Sequence, residues 1–119
     1  MRQNGNAVMF SARTTTGATE AHPMKGGKNT FLAQGETSSG SGAATIIIEV
    51  SNKTSPSTAT SSDGLADWVT AGTITLTLGT TMTSDAFALD APYMWVRARL
   101  SSISGTDAAV TVWKASEVS

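Results

Sequence analysis

Thr73-Ile74-Thr75-Leu76-Thr77-Leu78 alternates threonine with an aliphatic residue at every step. A side-chain period of two places successive residues on opposite sides of an extended chain, and a helix of period 3.6 does not sort them that way. The stretch reads as a β-strand with Ile74, Leu76 and Leu78 towards a core and the three threonines away from it. Upstream, Ala44-Thr45-Ile46-Ile47-Ile48-Glu49-Val50-Ser51 has the same character. There Ile46, Ile48 and Val50 share one face, leaving Ile47 and Glu49 on the other.

The same reading extends across the chain. It predicts strands over Ala7–Thr14, Asn29–Gln34, Ala43–Ser51, Asp67–Thr70, Thr73–Leu78, Ala86–Leu89, Tyr93–Ser101 and Ala108–Lys114. Turn-forming clusters separate most of them, among them Gly26-Gly27, Ser38-Ser39-Gly40-Ser41-Gly42, Asp63-Gly64 and Ser104-Gly105-Thr106-Asp107. In Tyr93–Ser101 the alternation sends Met94, Val96, Ala98 and Leu100 inward and Trp95, Arg97 and Arg99 outward. Val110 and Val112 continue the core, with Thr111 and Trp113 opposite. Many short strands at this spacing predict an all-β fold, a two-sheet antiparallel sandwich of jelly-roll-like form with about eight strands. Residues 1–6 read as a flexible N-terminal arm and 7–119 as a single sandwich domain. Thr15–Lys28 and Asn52–Leu65 have no period and are expected to run as surface loops.

The 119 residues fit one domain. Only 21 of them are Leu, Ile, Val or Phe, so the core is lean. Charged residues make up 14%, against about 25% in an average soluble domain. A surface so rich in Ser and Thr suits a protein whose faces are covered in an assembly, and equally suits ordinary solvated β-strands. Eight Lys and Arg against nine acids, with no basic run, give no track for a nucleic-acid backbone. Zero cysteine excludes disulfides, thiolate metal ligands and thiol catalysis. Met1-Arg2-Gln3-Asn4-Gly5 lacks the apolar core of a signal peptide, and no apolar run reaches membrane-spanning length. The chain is expected to fold where it is made, with no membrane partner.

Groups able to carry chemistry are few. His22 is the single histidine and is followed by Pro23, with no nucleophile-elbow serine elsewhere to complete a triad. Asp63, Asp85, Asp90 and Glu49 are the carboxylates available for acid–base work or calcium, yet they form no Asp-x-Asp-x-Asp loop with a trailing Glu. Aspartates at strand ends suit turns made with their own backbone. We expect no enzyme, no catalytic residue, no cofactor and no metal site.

The constellation with functional promise is Trp95, Arg97 and Arg99. Residues two apart on a strand lie side by side on one face, guanidinium groups stack on indoles, and Trp and Arg dominate binding hot spots. Trp113 and Trp68 extend the patch if their strands lie nearby. The competing readings are that the tryptophans pack on the second side of the sandwich beneath the arginines, or that they form a platform for carbohydrate.

Three segments resemble a known group. They are Ile48-Glu49-Val50-Ser51-Asn52, then Asp67-Trp68-Val69-Thr70-Ala71-Gly72-Thr73-Ile74-Thr75-Leu76, then Ser84-Asp85-Ala86-Phe87-Ala88-Leu89-Asp90-Ala91-Pro92-Tyr93-Met94-Trp95-Val96-Arg97-Ala98. In this order they resemble small virion structural proteins of tailed bacteriophages, of the capsid decoration or cement type. The resemblance spans roughly Ala43 to Trp113. It implies a β-sandwich that self-associates, as a trimer sooner than a dimer, and binds the major capsid protein on the outside of the phage head. It implies folding in the host cytoplasm and a final place on the capsid exterior. Glu49-Val50-Ser51-Asn52 followed by a tryptophan also resembles carbohydrate-binding sandwiches of the discoidin kind. In those a short Asp-Gly turn joins the two pieces, whereas here Asn52–Leu65 intervenes. A carbohydrate- or receptor-binding module on a virion appendage is therefore the alternative function.

Overall fold

The computed structural model describes residues 3–19, 21–24, 28–57, 66–89 and 93–118, with residues 3–7 and 116–118 described by their backbone pairing. Every regular element among them is a strand: β1 (Gln3–Arg13), β2 (Gly17–Ala18), β3 (His22–Pro23), β4 (Asn29–Glu36), β5 (Ser39–Ser51), β6 (Val69–Leu78), β7 (Thr83–Leu89), β8 (Trp95–Thr106) and β9 (Ala109–Val118). They form two antiparallel sheets, a four-stranded one in the order β1-β9-β4-β7 and a five-stranded one in the order β2-β8-β5-β6, where β3 also pairs with β8. The fold is the expected all-β sandwich. Apart from the β5–β6 pair, successive strands from β4 onward change sheet at each connection, so most chain-neighbouring strands face each other across the core.

The alternation read from Thr73–Leu78 is the burial pattern of β6: Ile74, Leu76 and Leu78 are buried and the intervening threonines exposed. Ile46, Ile48 and Val50 of β5, Val96, Ala98 and Leu100 of β8, and Val110 and Val112 of β9 complete the interior. Phe31 of β4 stacks on Phe87 of β7, with ring centroids 6.4 Å apart. The Cα frame measures 41 × 40 × 17 Å, a thinness that fits two sheets about 10 Å apart. Close approach of the β5 and β8 backbones demands Gly42, where a Cβ would lie 2.0 Å from the Ser104 carbonyl oxygen.

Several boundaries differ from the sequence reading. Residues 3–6, expected within a free arm, belong to β1, with Gln3–Asn6 in register with Val118–Ala115. The strands expected over Asp67–Thr70 and Thr73–Leu78 are one strand, β6, with a register shift opposite Ile48 and Glu49 that takes up an extra residue. Met94, expected inward, is 55% exposed because it precedes β8 at a bend and is not yet bound to the pleat. Within Thr15–Lys28, two-residue pairings tie Gly17 to Leu100 and His22 to Val96. Residues 58–65 of the Asn52–Leu65 segment, and Asp63 and Asp90 with them, lie outside the described residues.

Candidate functional site

Arg97 and Arg99 do project from the outer face of the five-stranded sheet, but the chain covers the end of that face where they stand. Glu49 of β5 is the register partner of Arg97 on β8. Arg97 Nε donates to Glu49 Oε1 at 2.9 Å, and Arg99 Nε stands 3.2 Å from the same oxygen. The side chains of Arg97, Glu49 and Arg99 are 0%, 4% and 20% exposed. A carboxylate stripped of water is costly unless charged partners replace its hydration; two guanidinium groups do so here. The indole of Trp68 closes the cluster from above, with the Arg97 guanidinium 4.6 Å from a ring centroid. Cation–π attraction adds to the burial of both groups.

The β5–β6 connection holds Trp68 in place. Trp68 Nε1 donates to the Ser57 carbonyl at 2.6 Å. The Asp67 carboxylate accepts from Lys53 Nζ at 2.8 Å and from the Ser57 backbone N–H at 2.7 Å. Both bonds favour its charged form, and the Lys53 bond is the stronger influence holding Asp67 below the ordinary carboxylate range. Farther along, the Met94 N–H donates to Asn52 Oδ1 at 2.9 Å, tying the connection to the start of β8. The result is a latched roof. Arg97 and Trp68 fill each other's surfaces, while Trp95, half-buried beside Pro23 and Ser51, lies at the margin.

Trp113 is in the other sheet. Its register partners are Val8 on β1 and Leu32 on β4, and Leu32 in turn pairs with Ala86 on β7. A row Val8–Trp113–Leu32–Ala86 therefore runs across all four strands on the outer face. Val8 is 51% and Leu32 39% exposed; Ala86 is exposed and Trp113 half-buried. The flanking rows, Thr111–Gln34–Ser84 and Ala115–Thr30–Ala88, carry no ionisable side chain. Beside Trp113, a notch of about 310 Å³ opens between Thr30, Leu32 and Ala115, with the buried Lys114 also lining it. Nothing among the described residues lies over this face.

Glu49 as the hub of the arginine cluster, and Val8 and Leu32 as exposed apolar residues, were not singled out from sequence. The signal for Glu49 was an acid alone in an aliphatic strand, on the parity opposite the core. The signal for Leu32 was its place between two small or apolar inward residues, Phe31 and Ala33. His22 is half-buried at its pairing with β8. Asp85, expected at a strand end in a turn, lies inside β7 opposite Ala33; it is exposed, and its Oδ1 accepts from the N–H of Ala86 at 2.8 Å. Among the described residues, no three His, Asp or Glu side chains gather in a way that could hold a metal ion.

No family model matches the chain, and no curated protein matches its sequence. A solved structure does share its fold. The SPBc2 prophage-derived protein YomS superposes with a TM-score of 0.57 at 16% identity, over 99% of this chain and 96% of that one. The PBSX exported protein XepA aligns with a TM-score of 0.49 at 13% identity, over 93% of this chain and 36% of that one. The YomS likeness shows a common fold, and the neighbour carrying it is a prophage-derived protein.

Proposed function

We propose that this chain is a bacteriophage virion structural protein of the capsid decoration type, which self-associates and binds the outside of the head. The observation that carries the reading is the outer face of the four-stranded sheet, open among the described residues, where Val8, Trp113 and Leu32 lie in line and the three central rows carry no ionisable side chain. The β5–β6 connection covers the Glu49–Arg97 end of the five-stranded sheet's outer face, whereas the Val8–Trp113–Leu32 row is open among the described residues. The segment resemblance from Ala43 to Trp113 supplies the phage setting, and a prophage-derived protein with the same fold is compatible with it.

The activity is thermodynamic. A protein that binds the assembled, expanded shell and not its separate subunits stabilises the shell by mass action. Many copies, each held weakly, add through multivalency. The partners are the major capsid protein and further copies of this chain, and the place of action is the capsid exterior.

The test uses heads of the encoding phage, produced with and without this chain. Heads lacking it are expected to release DNA at a lower temperature, and purified protein added back should restore the original threshold and co-sediment with the heads. Equal thresholds with no co-sedimentation refute the reading. A saturable quench of tryptophan fluorescence on titration with glycans, in the absence of head binding, would select the carbohydrate-binding alternative.

A further inference from the structure

We infer that the outer face of the four-stranded sheet is a two-fold pairing surface for a second copy of this chain. The inference names the partner of the face on which the virion reading rests, and its biological use depends on that reading. Three observations select a second copy as the occupant.

The first is charge. The row Val8–Trp113–Leu32–Ala86 and the two rows flanking it carry no ionisable side chain. Most surfaces meet like charge when pressed against their own image, and that opposition is destabilising. Within these three rows the face meets none, and Glu36 follows only beyond Gln34 at the end of β4.

The second is shape. A two-fold axis lying along the strands between β9 and β4 sets each Trp113 against the other copy's Leu32. It sets each Val8 against the other copy's Ala86. In such an isologous contact residue i meets j and j meets i, so the bulkier member of each pair meets the smaller one. Aligned packing of two sheets about 10 Å apart is the ordinary geometry of a sandwich interior.

The third is area. Four strands at about 4.8 Å spacing and about seven residues at about 3.3 Å give roughly 450 Å² of face. Pairing two copies removes roughly 900 Å² or more in total, close to the about 1,000 Å² at which specific interfaces begin. That extent predicts a reversible dimer, dissociating on dilution, and an isologous pair in place of the trimer that the family resemblance implies.

Sedimentation velocity of the full chain from micromolar to millimolar concentration tests this. The wild type should pass from monomer to dimer. Leu32→Glu, which buries a charge in the contact but leaves it solvated in the monomer, should weaken dimerisation about tenfold or more. Val8→Glu should do the same and serves if Leu32→Glu fails to fold by circular dichroism. Thr75→Glu, on the outer face of the other sheet, should dimerise like the wild type. A wild type that stays monomeric throughout, or folded Leu32→Glu and Val8→Glu variants that associate normally, overturns the inference. Head co-sedimentation is measured alongside: a dimer that ignores heads refutes the virion reading and leaves the pairing intact.

Discussion

Glu49→Gln is the most informative single substitution in this molecule. It changes no side-chain volume worth the name, yet it removes the one negative charge shared by Arg97 and Arg99. Arg97, with no exposed surface, then keeps a neutral hydrogen-bond acceptor but loses its counter-charge at 2.9 Å. Breaking a buried pair by removing one partner costs about 3–5 kcal/mol; Gln retains part of the hydrogen bonding, so about 3 kcal/mol is expected. A 119-residue domain has roughly 6–18 kcal/mol of stability in all, so the variant should fold but lose a substantial share. In urea, with a slope of about 1.5–2 kcal/mol per molar, the midpoint should fall by about 1.5–2 M at unchanged slope. High salt should leave the difference between the two proteins nearly intact, since ions do not reach a sealed pair. Replacing all three members by apolar residues of similar size, Glu49→Met with Arg97→Met and Arg99→Met, should restore much of the loss, because no charge is then left without its partner. A midpoint shift below about 0.5 M for Glu49→Gln, or one abolished by salt, would show that the cluster is solvated and that Trp68 does not seal it.

Three further outcomes follow from the same geometry. Trp68→Ala removes the indole over Arg97 and the bond to the Ser57 carbonyl; a loss of about 3–5 kcal/mol and faster protease nicking in the β5–β6 connection are expected, read by denaturation and limited digestion. Asp67 is held below the ordinary carboxylate range by Lys53 and the Ser57 N–H, so its contribution to the latch is complete above that range and disappears as pH falls through the lowered value; hydrogen exchange of the Ser57 amide should accelerate only in strong acid, and Asp67→Asn should remove that pH dependence. Gly42→Ala forces a methyl towards the Ser104 carbonyl and should cost about 1–3 kcal/mol through displacement of β5 from β8, whereas Gly40→Ser, with open space around it, should cost less than Gly42→Ala in spite of its positive φ.

Alternation determined the central core strands and most of their inward faces, because a strand's period of two is a local property and Thr73–Leu78 or Ala44–Ser51 satisfies it without reference to neighbours. The pairings of residues 3–6, Gly17 and His22, and the exposure of Met94, depended on neighbours it does not name. Which outward residues meet one another is not local. Parity put Trp95, Arg97, Arg99 and Trp113 alike on outer faces, but only the strand order assigns β8 to one sheet and β9 to the other. Only the path of the β5–β6 connection brings Trp68 down on Arg97, while leaving Trp113 beside Val8 and Leu32 in the open. Pairing across sheets depends on contacts between residues dozens of positions apart, and a pattern with a period of two repeats identically whichever strand becomes its neighbour.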